Sequence, residues 1–143
     1  MKIITACVAN HVEALGVGLY LQGAFPQFFY VPSVPHSSQV HFAFVAEFEP
    51  GEIGEAFPVL IETRQTGHET TAWQELILSR RETEFDFDGF PLYGHYVEHP
   101  EAHFSDEGAY EVVITMEGKQ LAIARYGIRL ADRPNDDEIV GEG

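Results

Sequence analysis

Residues 40–48 alternate without a break: Val40, Phe42, Phe44, Ala46 and Phe48 fall on one side, and His41, Ala43, Val45 and Glu47 on the other. A period of two is the signature of a strand with one face in a core, because successive side chains point to opposite faces. The same pattern returns at Phe57, Val59, Ile61 and Thr63 after Glu49-Pro50-Gly51, and another strand spans residues 72–79 after the turn signal Thr66-Gly67. Each run is of strand length and bounded by Gly or Pro.

The segment 110–130 carries the tightest constraint. Tyr110, Val112 and Ile114 precede Gly118, Ala122, Ala124, Tyr126, Ile128 and Leu130 follow it, and all of these positions are even-numbered. Paired residues of an antiparallel hairpin share a face, so even must meet even, which requires an odd number of residues in the loop. A three-residue loop, Met116, Glu117 and Gly118, meets that requirement, with glycine in the left-handed position. It pairs Thr115 with Lys119 and Val112 with Ala122, and turns Arg125 and Arg129 to solvent.

No helix is expected. The best candidate, 11–15, is cut off by Gly16 and Gly18 before two turns are complete, so it reads as a loop between strands at 2–9 and 17–22. The sum is an all-β chain, a single-domain antiparallel β-sandwich of about seven to nine strands over residues 1–131. Residues 132–143 form an acidic, flexible tail. The chain's 143 residues, 45% of them apolar, are enough for one core despite a net charge of −15.

That charge disfavours direct contact with nucleic acid or anionic membrane. The apolar run 3–9 is too short to span a bilayer and lacks a signal-peptide layout. Cys7 is the single cysteine, which excludes an intrachain disulfide and fits a cytoplasmic protein.

The order Met1-Lys2-Ile3, Ala9-Asn10, Gly18-Leu19-Tyr20-Leu21-Gln22-Gly23-Ala24-Phe25, then Phe28, Pro32 and Pro35, resembles the opening of an uncharacterised family of small bacterial all-β proteins, a domain of unknown function. The C-terminal hairpin is similar too, in Gly108-Ala109-Tyr110-Glu111-Val112 and Met116-Glu117-Gly118. The resemblance implies a compact β-sandwich, and no enzymatic activity, cofactor or site residue. It does not extend over residues 64–103.

Within that stretch and just past it lie the groups that would hold a metal. Residues 82–107 contain eight acids and no Lys or Arg. His95, His99 and His103 recur every fourth residue beside Glu98, Glu101 and Asp106, which is the donor set of zinc. Spacing of four stacks side chains on a helix, however, whereas on a strand it separates them by about 13 Å. Glu82, Glu84, Asp86 and Asp88 alternate with Thr83, Phe85 and Phe87 and end in Asp-Gly, as calcium loops do, without the full ligand pattern. Surface histidines and a solvated strand face account for both. Cys7 sits in an apolar strand as an inert thiol, no serine has a Gly-x-Ser-x-Gly surround, and there is no phosphate-binding glycine loop.

What remains is aromatic. Phe25, Phe28, Phe29 and Tyr30 crowd together ahead of Pro32, and the adjacent rings 28 and 29 cannot both point inward on a regular strand. Phe25, Phe28, Phe29, Tyr30 and Pro32 are therefore the candidate interface, with a second protein or another copy as partner. The function expected is a non-enzymatic cytoplasmic protein-interaction or assembly component with no cofactor. The alternatives are an acidic decoy of a nucleic-acid-binding protein and a calcium- or zinc-dependent binding module. Purified protein should keep its thermal midpoint in excess chelator, and a midpoint that collapses would reveal a structural ion.

Overall fold

The computed structural model describes residues 1–15, 18–24, 26, 28–68, 71–80 and 92–131. Among the described residues there are nine strands: β1 (Lys2–Leu15), β2 (Gly18–Ala24), β3 (Phe28–Val31), β4 (His36–Glu47), β5 (Phe57–Gln65), β6 (Thr71–Leu78), β7 (Leu92–Phe104), β8 (Gly108–Met116) and β9 (Lys119–Leu130). One sheet has the order β2-β1-β4-β7 and the other β3-β9-β8-β5-β6. A single 3₁₀ turn at Pro50–Glu52 is the only helical element among the described residues.

The alternating segment is the inner face of β4. Val40, Phe42, Phe44, Ala46 and the following Phe48 are all buried, and they meet Val59 and Ile61 from β5 and Val112 and Ile114 from β8 in one core. The opposite face of β4 is not left to water. His41 and Ala43 are buried as well, and Cys7, Ala9 and Val12 form a second, smaller cluster with Ala43. Leu19 and Ala24 of β2 pack against that cluster.

Bulges adjust the side-chain parity of the long strands. In β1 the register steps from Ile3 opposite Ala46 to Thr5 opposite Val45, so Ile4 is the extra residue and is exposed. Ile3, Ala6 and Val8 can then all reach the core side. In β6 the extra residue is Trp73, whose ring lies 6.3 Å from that of Phe42.

Four expectations change. Residues 11–15 are not a loop: β1 continues through them and pairs with β2 as far as Leu15 opposite Gly18, because cross-strand hydrogen bonding with β2 extends the strand. The β8–β9 hairpin turns through two residues instead of three. Met116 pairs with Lys119, Glu117 and Gly118 both have positive φ, and the register step between Ile114–Ala122 and Thr115–Gln120 leaves Leu121 as a bulge. The odd count demanded by parity is thus split between the turn and the strand, and Val112 pairs with Ala124 in place of Ala122.

The strand through residues 93–97 likewise does not give way to a loop at Pro100. β7 runs on to Phe104, with an extra residue where Ser38 and Val40 oppose Ala102 and His99, and such an irregularity accommodates a residue lacking an N–H. Finally, the sandwich is not wholly antiparallel: β3 runs parallel to β9, from Phe28 opposite Gly127 to Val31 opposite Leu130. The tail 132–143 lies outside the described residues.

Two glycines, Gly118 in the β8–β9 turn and Gly23 within β2, test this backbone. Gly118 has φ +79° with open space around it, whereas Gly23 has φ +64° and a β-carbon there would stand 2.4 Å from Asn10 Nδ2. Gly118→Ala should cost about 1 kcal/mol, from backbone strain alone, and Gly23→Ala about 2 kcal/mol or more. Urea unfolding of the two variants gives the order, and a smaller cost at Gly23 would contradict it.

Candidate functional site

The parallel pairing of β3 with β9 decides which of the adjacent phenylalanines is covered. Phe29 packs against the core and meets Tyr126 edge to face at 5.6 Å, and Val31 is fully buried two residues on. Period two then turns Phe28 and Tyr30 outward, and they are 40% and 61% exposed. Pro32, just past the strand, is exposed too, while Phe25 lies outside the described residues. Among the described residues β3 is one of the two edge strands of its sheet, β6 being the other.

Beside these rings the outer face carries charge. The Arg129 guanidinium lies over the Phe28 ring, 4.7 Å from its centroid, where the ring's negative face attracts it. Arg64, Glu111 and Arg125 are direct cross-strand neighbours on β5, β8 and β9. Arg64 Nε donates to Glu111 Oε1 at 2.6 Å, and Arg125 Nε to Oε2 at 2.9 Å. The Glu111 side chain is only 5% exposed, so both carboxylate oxygens are held by cations and largely shielded from water.

Burial alone would raise the Glu111 pKa. The hydrogen bonds and charges of the two arginines outweigh it and hold the carboxyl below its ordinary 4.5. A depressed folded-state value means that the row stabilises the fold fully above that ordinary value and loses its contribution as pH falls through the folded one.

Elsewhere the titratable groups serve the fold. The Tyr110 hydroxyl donates to the Asp106 carbonyl at 2.7 Å, tying the start of β8 to the loop before it, and burial raises its pKa. Burial also pushes the Tyr126 phenol up, against a hydrogen bond with Thr63. Glu52 accepts from the N-terminal ammonium at 2.5 Å and from the Glu49 amide at 2.8 Å, and the first of these leads in lowering its pKa. Beside them Met1, Lys2, Glu47, Phe48, Glu49 and Pro50 line a groove of about 330 Å³, in which Lys2 pairs with Glu47 at 3.2 Å.

The groups weighed for catalysis and metal binding are dispersed. Cys7 is buried in β1, and His11, further along the same strand, turns its ring onto His41 at 5.4 Å and its Nε2 to Glu13 at 2.9 Å. His103 meets Ser37, its cross-strand neighbour, with 3.3 Å between Nδ1 and Oγ on the exposed surface. His95 and His99 lie four residues apart along the extended backbone of β7. Among the described residues no three His, Cys, Asp or Glu side chains come together as a metal site, and Glu82, Glu84, Asp86 and Asp88 lie outside those residues. No described helix is long and apolar enough to cross a membrane.

Sequence reasoning singled out the rings of β3 and missed the arginines beside them. The parity that turns Arg125 and Arg129 outward was available, but the parallel pairing that sets Arg129 against Phe28 was not. Against known proteins, the chain matches no family model and no curated protein.

Glu111→Gln should lower stability at neutral pH by about 2 kcal/mol and flatten the loss of stability in acid. Urea midpoints followed between about pH 3 and pH 7 give the comparison, and equal acid sensitivity in both proteins would exclude the row as its source.

Proposed function

We propose that this chain is a non-enzymatic component that acts through protein contact, with another copy or with a second protein, and that the contact is made by the outer side of β3. The observation that carries the reading is the pair Phe28 and Tyr30, two large exposed rings on an edge strand of a chain whose charge of −15 otherwise favours solvation. An edge strand offers unpaired backbone groups beside those rings, which is how extended segments add to a sheet. Phe29 and Val31 anchor the strand from below, so the exposed rings are presented on a fixed support. The lone Cys7 suits a reducing compartment, and the bacterial cytoplasm is the setting proposed.

Replacing both exposed rings, Phe28→Ser with Tyr30→Ser, should leave circular dichroism unchanged and the thermal midpoint lower by only a few degrees, since little buried area is lost. Sedimentation velocity should show loss of self-association, or capture from a host lysate should lose a band that wild type retains. Association unchanged in the double variant would place the interface elsewhere, with the acidic stretch 82–107 next to be tested.

A further inference from the structure

No Asp, Glu, Lys or Arg occurs between Glu13 and Glu47, in a chain whose net charge is −15. β3 lies inside that uncharged run, so two copies can bring this strand together without opposing acids on it. Edge strands are commonly blunted by charge, above all by lysine. β3 has none, and Pro26 and Pro32 flank it instead.

The backbone fixes which peptide groups are open. Ala131 N–H donates to the Val31 carbonyl at 2.8 Å, and Val31 is the register partner of Leu130. In a parallel ladder that bond makes Val31 a residue whose N–H and C=O both point at β9, and Phe29, two residues back, does the same. Phe28 and Tyr30 therefore aim their N–H and C=O at the side of the strand where no described strand pairs, while their rings stand on the outer face. The next residues of that parity are Pro26 and Pro32, which have no N–H. The open edge thus offers two donors and stops at both ends.

We infer that β3 pairs antiparallel with β3 of a second copy about a twofold axis through Phe29, so that Phe28 of each strand lies opposite Tyr30 of the other. This inference rests on the reading of β3 as the contact face and adds what occupies it.

Antiparallel partners that exchange both bonds are those whose N–H and C=O face each other, and this register supplies two such pairs. Residues directly opposite share a face, so each Phe28 ring meets a Tyr30 ring as a cross-strand aromatic pair. Arg129, register neighbour of Tyr30, stands at two outer corners of the resulting block of four rings. Three strand spacings, about 14 Å, separate the two arginines, beyond the screening length of about 8 Å at physiological salt.

A foreign strand would find the same two donors however long it was. A second copy matches them in number, spacing and ring placement, and because the same patch serves both copies the contact closes as a dimer. Strands of four residues bury less than the roughly 1,000 Å² of a stable interface, so the dimer forms at high concentration.

Sedimentation equilibrium on the full chain from about 10 μM to about 1 mM tests this, with the dissociation constant expected inside that range. One monomer–dimer equilibrium should fit, without larger species. Raising sodium chloride to about 0.5 M should tighten it, because screening removes repulsion between two acidic chains. Tyr30→Ser should weaken it about tenfold or more, and Tyr30→Pro, which also removes a donor that β9 does not use, should abolish it. Tyr20→Ser, on the uncharged edge strand β2, should leave it unchanged. Circular dichroism verifies that the variants fold.

The register has its own test. Tyr30→Lys and Phe28→Glu should each weaken self-pairing, yet an equimolar mixture of the two chains should restore it, because the substituted positions then face each other and a native Phe28 still faces a native Tyr30.

A chain that stays monomeric to about 1 mM, association weakened by salt, equal dimerisation by the folded Tyr30→Ser chain, or a mixture that fails to associate overturns the inference. Should the chain be monomeric while a second protein captured from a host lysate is lost on Phe28→Ser with Tyr30→Ser, self-pairing falls and the contact face stands. If neither self-association nor capture depends on those two positions, both fall.

Discussion

Phe104 joins the two sheets. Its ring comes from β7 and meets Tyr110 at 5.1 Å and Tyr126 at 6.3 Å, and both tyrosines belong to the opposite sheet. Tyr110 and Tyr126 stack on each other at 6.0 Å across the β8–β9 pair, and Phe29 closes the group from β3. Edge-to-face and offset contacts of this kind add about 0.5–1.5 kcal/mol per pair to the area that each ring buries. Their main effect here is positional, since one cluster ties strands from the first quarter of the chain to strands from its end. Through Phe29 it adds to the pairing with β9 and the burial of Val31 that hold β3, four residues long, to the sheet.

The outward face of β3 follows from that inward attachment. Once Phe29 is committed to Tyr126, the backbone leaves Phe28 and Tyr30 no inward position. The arginine row reflects the same economy of position. Glu111 is anchored by β5 on one side and β9 on the other, so an ion pair formed between residues distant in sequence also fixes the register of three strands. Its carboxylate is shielded well enough that solvent screening weakens it less than an exposed pair.

The elements legible from the sequence were those whose evidence is local. The inner face of β4 was written in five alternating residues, and the β8–β9 hairpin was implied by the shared parity of its apolar positions. Parity determines only the total number of intervening residues, so it could not distinguish a three-residue loop from a two-residue turn with Leu121 bulged. The parallel β3–β9 pair was not legible, because contact between residues 28–31 and 127–130 leaves no periodic trace in either segment. The same limit hid the meeting of Arg129 with Phe28, and the burial of His41 and Ala43 by β1 and β2. The extended course of residues 11–15 was masked by nearby glycines, which discourage a helix as readily as they mark a turn.

The second cluster has a practical consequence. Cys7 is the only thiol in the chain, and it is buried with Ala9, Val12 and Ala43 on the side of the sheet remote from the main core, where β2 packs over them. A thiol reagent can reach it only when this small layer opens, so its rate of modification under native conditions measures that opening without an engineered label. Compared with global unfolding, the rate would separate the stability of this small cluster from that of the main core between the sheets. The chain therefore carries its own reporter of local cooperativity, placed on the layer that its main core does not include.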